Sequence, residues 1–312
     1  MSKNIYILGI ACFYHDSSAA LIKDGIVVAA AAEERFSRIK HDNSFPINAI
    51  RFCLENQKIT IKDVTHLAFY EKPLLKFERL MYQHLHSFPI SLKSFISAIP
   101  SWLNEKLQVV KIIKKKLKYA GNIFFIPHHL THAASSYLLS PFKESAIVTV
   151  DGVGEWATTT IGVGRGNNIQ ILKEIEFPSS LGLLYSTITA YLGFSINESE
   201  YKVMGLSSYG EMDPSKNSYY KKLKKVIDIK EDGSFRLDIS YFSYHWAERM
   251  PSGKLNNLLG GQARKPDQVI TGRHKDIAAA LQIILEEAMS KILIYTHILT
   301  GLKNISLAGG VA

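Results

Sequence analysis

The feature that most constrains the fold is a pattern that occurs twice. Residues 5–10 form an apolar run, and the polar turn His15-Asp16-Ser17-Ser18 separates it from a second run at 19–22. Lys23-Asp24-Gly25 is a hairpin signal, because Asp-Gly accepts the positive φ that a tight turn demands, and residues 26–32 are apolar again. The pattern predicts a three-stranded meander. Pro46 then opens a helix over 47–56, where its missing N–H costs nothing. The theme returns at 146–150, a buried strand running into Asp151-Gly152-Val153-Gly154. Strands at 158–163 and 169–177 and a helix at 181–192 follow. The match is one of pattern rather than identity. Three antiparallel strands followed by helical crossovers, made twice, predict a duplicated α/β architecture. The first lobe is expected over residues 1–145 and the second over 146–312, with the two first turns lining the cleft between them.

The remaining segments fit between these landmarks. Residues 66–70 and 122–126 read as strands, the latter buried, and 128–139 as a helix. Trp102, Leu103, Leu107, Val110, Ile113 and Leu117 recur at helical spacing and predict an amphipathic helix over 100–119, with Lys111 to Lys118 on its wet face. Residues 211–261 are polar and lack a firm period, which predicts an insertion or a loosely structured subdomain. A long helix is expected over 271–299 and a last strand over 305–308, ending in Gly309-Gly310.

Composition narrows the class. Hydrophobic residues at 46% against charged residues at 21% exclude a disordered chain. Cys12 and Cys53, the only two cysteines, cannot build a disulfide framework, so a reducing, cytoplasmic setting is expected. A membrane span needs roughly 18 consecutive apolar residues, and no run comes near that. Lys3 ahead of a short apolar run imitates a signal peptide, but the turn and strands that follow favour strand, turn, strand. The net charge of +9 raises the question of nucleic acid. No aromatic-plus-basic RNA module accompanies it, so none is expected as a partner.

The strongest chemical signal is Pro127-His128-His129-Leu130-Thr131-His132. On a helix His128 and His132 share one face, the usual way a helix gives two ligands to one metal. The alternative is a helix start with capping or surface histidines. Asp151, at the end of the next buried strand, favours the metal. Two imidazoles and a carboxylate suit Fe(II) first, or Zn(II) or Mn(II). The glycines of Asp151-Gly152-Val153-Gly154-Glu155 and of Gly309-Gly310 would let backbone approach a phosphate, though each is also an ordinary turn signal. Glu33-Glu34-Arg35-Phe36-Ser37-Arg38-Ile39-Lys40-His41 reads as a solvated loop, with a substrate-facing role as the alternative.

Taken together these motifs resemble the NodU/CmcH-type O-carbamoyltransferases. The segments that carry the resemblance are Gly9-Ile10, His15 through Ala20, Glu33 through Phe36, Pro127 through Ala133 and Val150 through Glu155. Ser180 through Tyr185, Glu200 through Leu206 and Leu307 through Ala312 continue it in the family's order. The resemblance implies an ASKHA-type (actin/sugar-kinase/Hsp70-like) fold close to the Kae1-like proteins. It implies a carbamoyl-adenylate, made from carbamoyl phosphate and ATP, whose carbamoyl group passes to a hydroxyl of a small molecule or sugar. Carried over by motif, His128, His132 and Asp151 would bind the metal and His15 would be the base at the acceptor hydroxyl. Gly152, Val153, Gly154, Lys202, Gly205, Gly309 and Gly310 would line the nucleotide.

The resemblance also marks a departure. A further metal-binding aspartate and a YrdC-like domain that makes the adenylate are expected beyond Gly309-Gly310, and neither precedes Ala312. The second lobe is therefore expected to be incomplete, with apolar surface exposed around Ile305 and Leu307. The chain is expected to depend on a downstream YrdC-like polypeptide for solubility and for adenylate synthesis. The rival readings are a Kae1-like tRNA threonylcarbamoyl transferase and a non-catalytic nucleotide-binding fragment or partner subunit.

Overall fold

The computed structural model describes residues 4–247 and 249–312. Lys3, on which the signal-peptide alternative turns, lies outside the described residues. Strands β1 (Tyr6–Ala11), β2 (Ser18–Lys23) and β3 (Ile26–Ala32) form the first meander. β1 alternates buried and half-buried residues, the period-2 signature of a strand with one face on a core. Helices α1 (Glu34–Ser37) and α2 (Ile47–Asn56) follow, then β4 (His66–Phe69). After α3 (Pro73–His86), α4 (Leu92–Asn104) and α5 (Val109–Leu117) comes β5 (Asn122–Phe125). The sheet order is β3-β2-β1-β4-β5, with β4 and β5 parallel to β1.

The second sheet repeats the plan. After α6 (His128–Tyr137) come β6 (Glu144–Val150), β7 (Ala157–Arg165) and β8 (Asn168–Glu176), an antiparallel meander. β11 (Ile305–Ala308) pairs parallel with β6, giving the order β11-β6-β7-β8. The duplicated α/β architecture expected from the sequence is present in this topology. Between β8 and β11 lie α7 (Leu181–Tyr191), α8 (Glu200–Ser207), α9 (Ser218–Leu223), a ribbon of β9 (Ile227–Ile229) and β10 (Phe235–Leu237), α10 (Gly253–Leu258) and α11 (Gly272–Thr300).

Two compact units result, Met1–Glu78 with Ile96–Thr131, and Arg79–Phe95 with His132–Ala312. The core of the first contains Leu8, Leu21, Ile50, Leu67 and Ile113, with both cysteines buried in it as free thiols. That of the second contains Val148, Ile188, Tyr191, Ile277 and Ile284. No helix among the described residues is long and apolar enough to cross a membrane.

Three expectations are corrected. The helix expected over 100–119 is two helices, because Pro100 sits inside α4 rather than opening a helix, and the chain breaks between Asn104 and Val109. Burial then falls on Val109, Ile113 and Leu117, while Leu103 is exposed. Residues 211–261 are not loose. Leu223, Ile227, Phe235, Phe242 and Leu255 from this stretch are buried in the second core. The 122–126 strand is not buried but lies at the sheet edge, so Phe124 is 48% exposed. Leu307 is also exposed, while Ile305 is half-buried.

Candidate functional site

The site is built around Asp151, the first residue past β6. Its position is over-determined by main-chain hydrogen bonds: its own N–H donates to Thr158 O (2.9 Å), and Val311 N–H donates to Val150 O (3.1 Å). Ser180, the N-cap of α7, accepts from Leu183 N–H at 3.0 Å, and its hydroxyl lies 2.6 Å from Gly152 O as a donor. The helix start is thereby tied to the Asp151 turn. Gly182 permits this approach, since a Cβ there would stand 2.7 Å from Asp151 O and from Gly152 N. On the other side Gly310 N–H donates to Asp151 Oδ1 at 3.2 Å. Gly309, at φ 103°, brings the end of β11 so close to β6 that any Cβ would run into the Val150 carbonyl.

His132 Nε2 stands 3.5 Å from Asp151 Oδ2. His128 is one turn earlier on α6, a continuous helix, so the helix itself places one imidazole against the other. Thr131 steadies the first turn, with its hydroxyl 2.6 Å from His128 O. The Tyr70 ring packs edge-on to His128 at 5.7 Å. One ligand atom from each of His128, His132 and Asp151 lies within 4.8 Å of the others, and all three side chains are half-buried. The donor set, two imidazoles and one carboxylate, fits a borderline divalent cation with coordination positions left for other ligands.

The other expected residues fall into two groups. Gly152, Val153 and Gly154 form the turn after Asp151, closed by Gly154 N–H to Ala157 O at 2.9 Å. A Cβ at Gly152 would meet nothing within 4 Å, so packing alone does not demand glycine there. Lys202 and Gly205 lie on the solvent-facing side of α8. His15 belongs to the first unit, half-exposed on the turn between β1 and β2.

That turn and the loop after α1 form a pairing that sequence reasoning did not make. His15 Nδ1 lies 2.8 Å from Asp16 Oδ2, and His41 Nδ1 lies 2.8 Å from Asp16 Oδ1. Partial burial works to raise the Asp16 carboxyl, but the hydrogen bonds from His41 and His15 outweigh it and hold the group below the usual aspartate range. The Glu33-Glu34 pair is structural. Glu33 is buried and accepts from Asn48 N–H, Asn48 Nδ2 and Ala49 N–H at the start of α2, and Glu34 accepts from His41 N–H at 3.0 Å. Ser180 carried a legible signal, a serine just before an apolar helical run. His41 stood at the end of the charged 33–41 segment, but nothing in the sequence tied it to Asp16, 25 residues away.

Comparison with known proteins places these motifs. The family model described as "Carbamoyltransferase N-terminus" matches residues 6–312. An uncharacterised protein of Synechocystis is 46% identical over 98% of this chain and 51% of its own length. The nodulation protein NolNO of Sinorhizobium fredii is 33% identical over 96% of this chain and 41% of its own. The chain thus spans about half the length of these relatives, or less. Among solved structures, HypF of T. kodakarensis aligns with all of this chain and 43% of its own at TM-score 0.43 and 12% identity. Component A of the Acidaminococcus fermentans (R)-2-hydroxyglutaryl-CoA dehydratase aligns over 98% of this chain and 83% of its own at TM-score 0.42 and 14% identity. With the family model matching from β1 to the last described residue, this chain belongs to the carbamoyltransferase N-terminal family.

Proposed function

We propose that this chain carries the transfer site of an O-carbamoyltransferase, which moves a carbamoyl group from carbamoyl-adenylate to a hydroxyl of a small-molecule or sugar acceptor. The observation that carries the reading is the convergence of His128, His132 and Asp151 in a chain of this family. These three residues would hold a divalent cation, Fe(II) first, with Zn(II) or Mn(II) as alternatives. Bound there, the cation would supply Lewis-acid stabilisation of charge on a phosphate or carbamoyl oxygen. Gly152, Val153, Gly154, Gly309 and Gly310 would present backbone to the nucleotide, with Lys202 and Gly205 of α8 completing its surroundings.

His15 is the proposed base. As the acceptor oxygen attacks the carbamoyl carbon, its proton passes to an imidazole nitrogen, the bond from that carbon to the phosphate oxygen breaks, and AMP leaves. No protein nucleophile is required. Carbamoyl phosphate and ATP are the proposed precursors of the adenylate, with a YrdC-like domain or downstream polypeptide as its source. The buried free thiols favour a cytoplasmic, reducing setting.

Two measurements test the reading. The purified chain should contain about one equivalent of divalent metal by elemental analysis, and the His128→Ala/His132→Ala double variant should contain none. Supplied with preformed carbamoyl-adenylate and a panel of hydroxylated acceptors, the unaltered chain should release AMP in an acceptor-dependent way. Undiminished metal in the double variant sinks the site assignment.

A further inference from the structure

We infer that Asp16 and His41 are positioning residues for the proposed base, with one carboxylate clamped between two imidazoles so that His15 presents Nε2 to the acceptor. The inference rests on the transfer reading above for His15's role, but the geometry stands independently of it. An ionised carboxylate can only accept hydrogen bonds. Each histidine therefore places its Nδ1–H on Asp16, His15 on Oδ2 and His41 on Oδ1, both at 2.8 Å. For His15 this fixes the neutral ring as the Nδ1–H tautomer and leaves the Nε2 lone pair free to take a proton. When that proton arrives, the carboxylate beside the ring stabilises the imidazolium, the role a carboxylate plays behind a catalytic histidine.

His41 makes this arrangement specific. A carboxylate paired with one exposed histidine can rotate and offer either oxygen. With its second oxygen engaged by His41, Asp16 keeps one oxygen aimed at His15. The backbone supports the same reading. Phe13, Asp16 and His41 all occupy the left-handed region, at φ 71°, 49° and 56°. Aspartate and histidine enter that region more readily than most side chains, and Asp24, Arg38 and Lys118 do so here at plain turns and helix ends, whereas a bulky residue such as Phe13 is held there by its surroundings. Here the surroundings are two loops laced together, by Phe13 N–H to Asn43 O at 2.9 Å and Ser17 N–H to Asp42 O at 2.8 Å. Glu34 holds the His41 N–H, and Glu33 anchors the neighbouring helix start. Glu34 of this charged segment thus helps to hold His41 against Asp16.

The charged and titratable groups around His15 are few. Asp16 contacts its ring directly. The Tyr14 ring lies 4.6 Å away, centroid to centroid, and Lys76 Nζ lies 5.0 Å from the centroid of that tyrosine ring. Lys76 is itself paired with Glu71 at 2.6 Å. From the facing loop come His41, Glu34, whose carboxylate takes the His41 N–H and lies within 4.8 Å of both Asp16 and His41, and Asp42, whose carboxylate is engaged by Ser44 N–H at 2.9 Å. Asp16 is therefore the anion placed to govern His15.

The test uses Asp16→Asn, which suits the left-handed backbone because asparagine tolerates it, together with His41→Ala and His41→Gln. Glutamine keeps an N–H donor for Asp16. In the intact chain, NMR of the His15 ring, assigned by its loss in His15→Asn, should show the Nδ1–H tautomer. In Asp16→Asn the neutral ring should revert to a mixture of tautomers. His41→Ala should loosen the tautomer preference to a smaller degree, and His41→Gln should restore the parent behaviour. In transfer assays with carbamoyl-adenylate, Asp16→Asn should lower kcat about tenfold or more at unchanged acceptor KM. An unchanged tautomer in Asp16→Asn overturns the positioning directly, whatever the activity. A changed tautomer with unaltered kcat overturns its relevance to transfer. A fully active His15→Asn variant overturns the base role, and the inference with it, while leaving the pairing visible by NMR.

Discussion

Glu33 and Glu34 are chemically identical neighbours, and the structure predicts sharply different consequences for replacing them. The Glu33 carboxylate is 2% exposed and takes three donors, Asn48 N–H (3.1 Å), Asn48 Nδ2 (2.7 Å) and Ala49 N–H (2.8 Å). These lie at the start of α2, whose N-cap is Pro46 and which has no side-chain cap of its own. Hydrogen bonds to a charged partner contribute about 1.5–3 kcal/mol each, and a carboxylate at a helix N-terminus adds ~0.3–1 kcal/mol. Desolvation of the carboxylate offsets a large part of that sum. Glu33→Gln keeps one acceptor oxygen but turns an amide N–H₂ toward the remaining donors, leaving buried N–H groups without an acceptor. The expected net cost is about 2–4 kcal/mol. Glu34→Gln loses less, because one partly exposed bond to His41 N–H is at stake and the amide oxygen can still accept it. Its expected cost is below about 1 kcal/mol. Urea unfolding followed by far-UV circular dichroism reads the difference from the midpoint shift at constant m. If Glu33→Gln costs no more than Glu34→Gln, the capping account of this segment is wrong.

Three further outcomes follow from other contacts. Gly182→Ala pushes a methyl into the Asp151-Gly152 backbone, so it should lose about 1–3 kcal/mol and weaken Zn(II) binding measured by calorimetry. Unaltered affinity would show that α7 does not hold the Asp151 turn. Tyr137→Phe removes a buried hydroxyl lying 2.9 Å from Lys143 O and 3.1 Å from Gly166 O. It should cost about 1–2 kcal/mol in the same urea experiment, and a stability equal to the parent's would discount those bonds. Burial works to raise the Glu287 carboxyl, but Lys224 at 2.8 Å and Tyr220 at 2.9 Å outweigh it and hold the group below its ordinary value. Its contribution is therefore present above the ordinary glutamate range and is lost as pH falls through the lowered folded value. Glu287→Gln should flatten the acid limb of the stability profile, and an unchanged limb would count against the pairing.

The sequence by itself was sufficient for whatever is local in the chain. The two meanders, α2 and β11 were legible because alternation, Asp-Gly and Pro46 act over a few residues. The His128/His132 face was legible for the same reason, since a helix fixes that geometry without help from the rest of the molecule. Even Asp151 could be named, because a carboxylate ending a buried strand next to a glycine turn stands out in one dimension. The tertiary structure decided what depends on partners distant in sequence. It placed Gly310 on Asp151 across 159 residues and Ser180 on Gly152 across 28. It split the 100–119 segment, where Pro100 entered a helix begun at Leu92. It also gave the polar 211–261 stretch an apolar interior, its few Leu, Ile and Phe side chains meeting the second core although they follow no local period. Asp16 and His41 belong to this second class. Nothing in a run of charges says which of its members is a cap, which holds a backbone N–H and which completes a clamp on a histidine. Those roles arise only when two loops close on each other and each polar atom must find a partner.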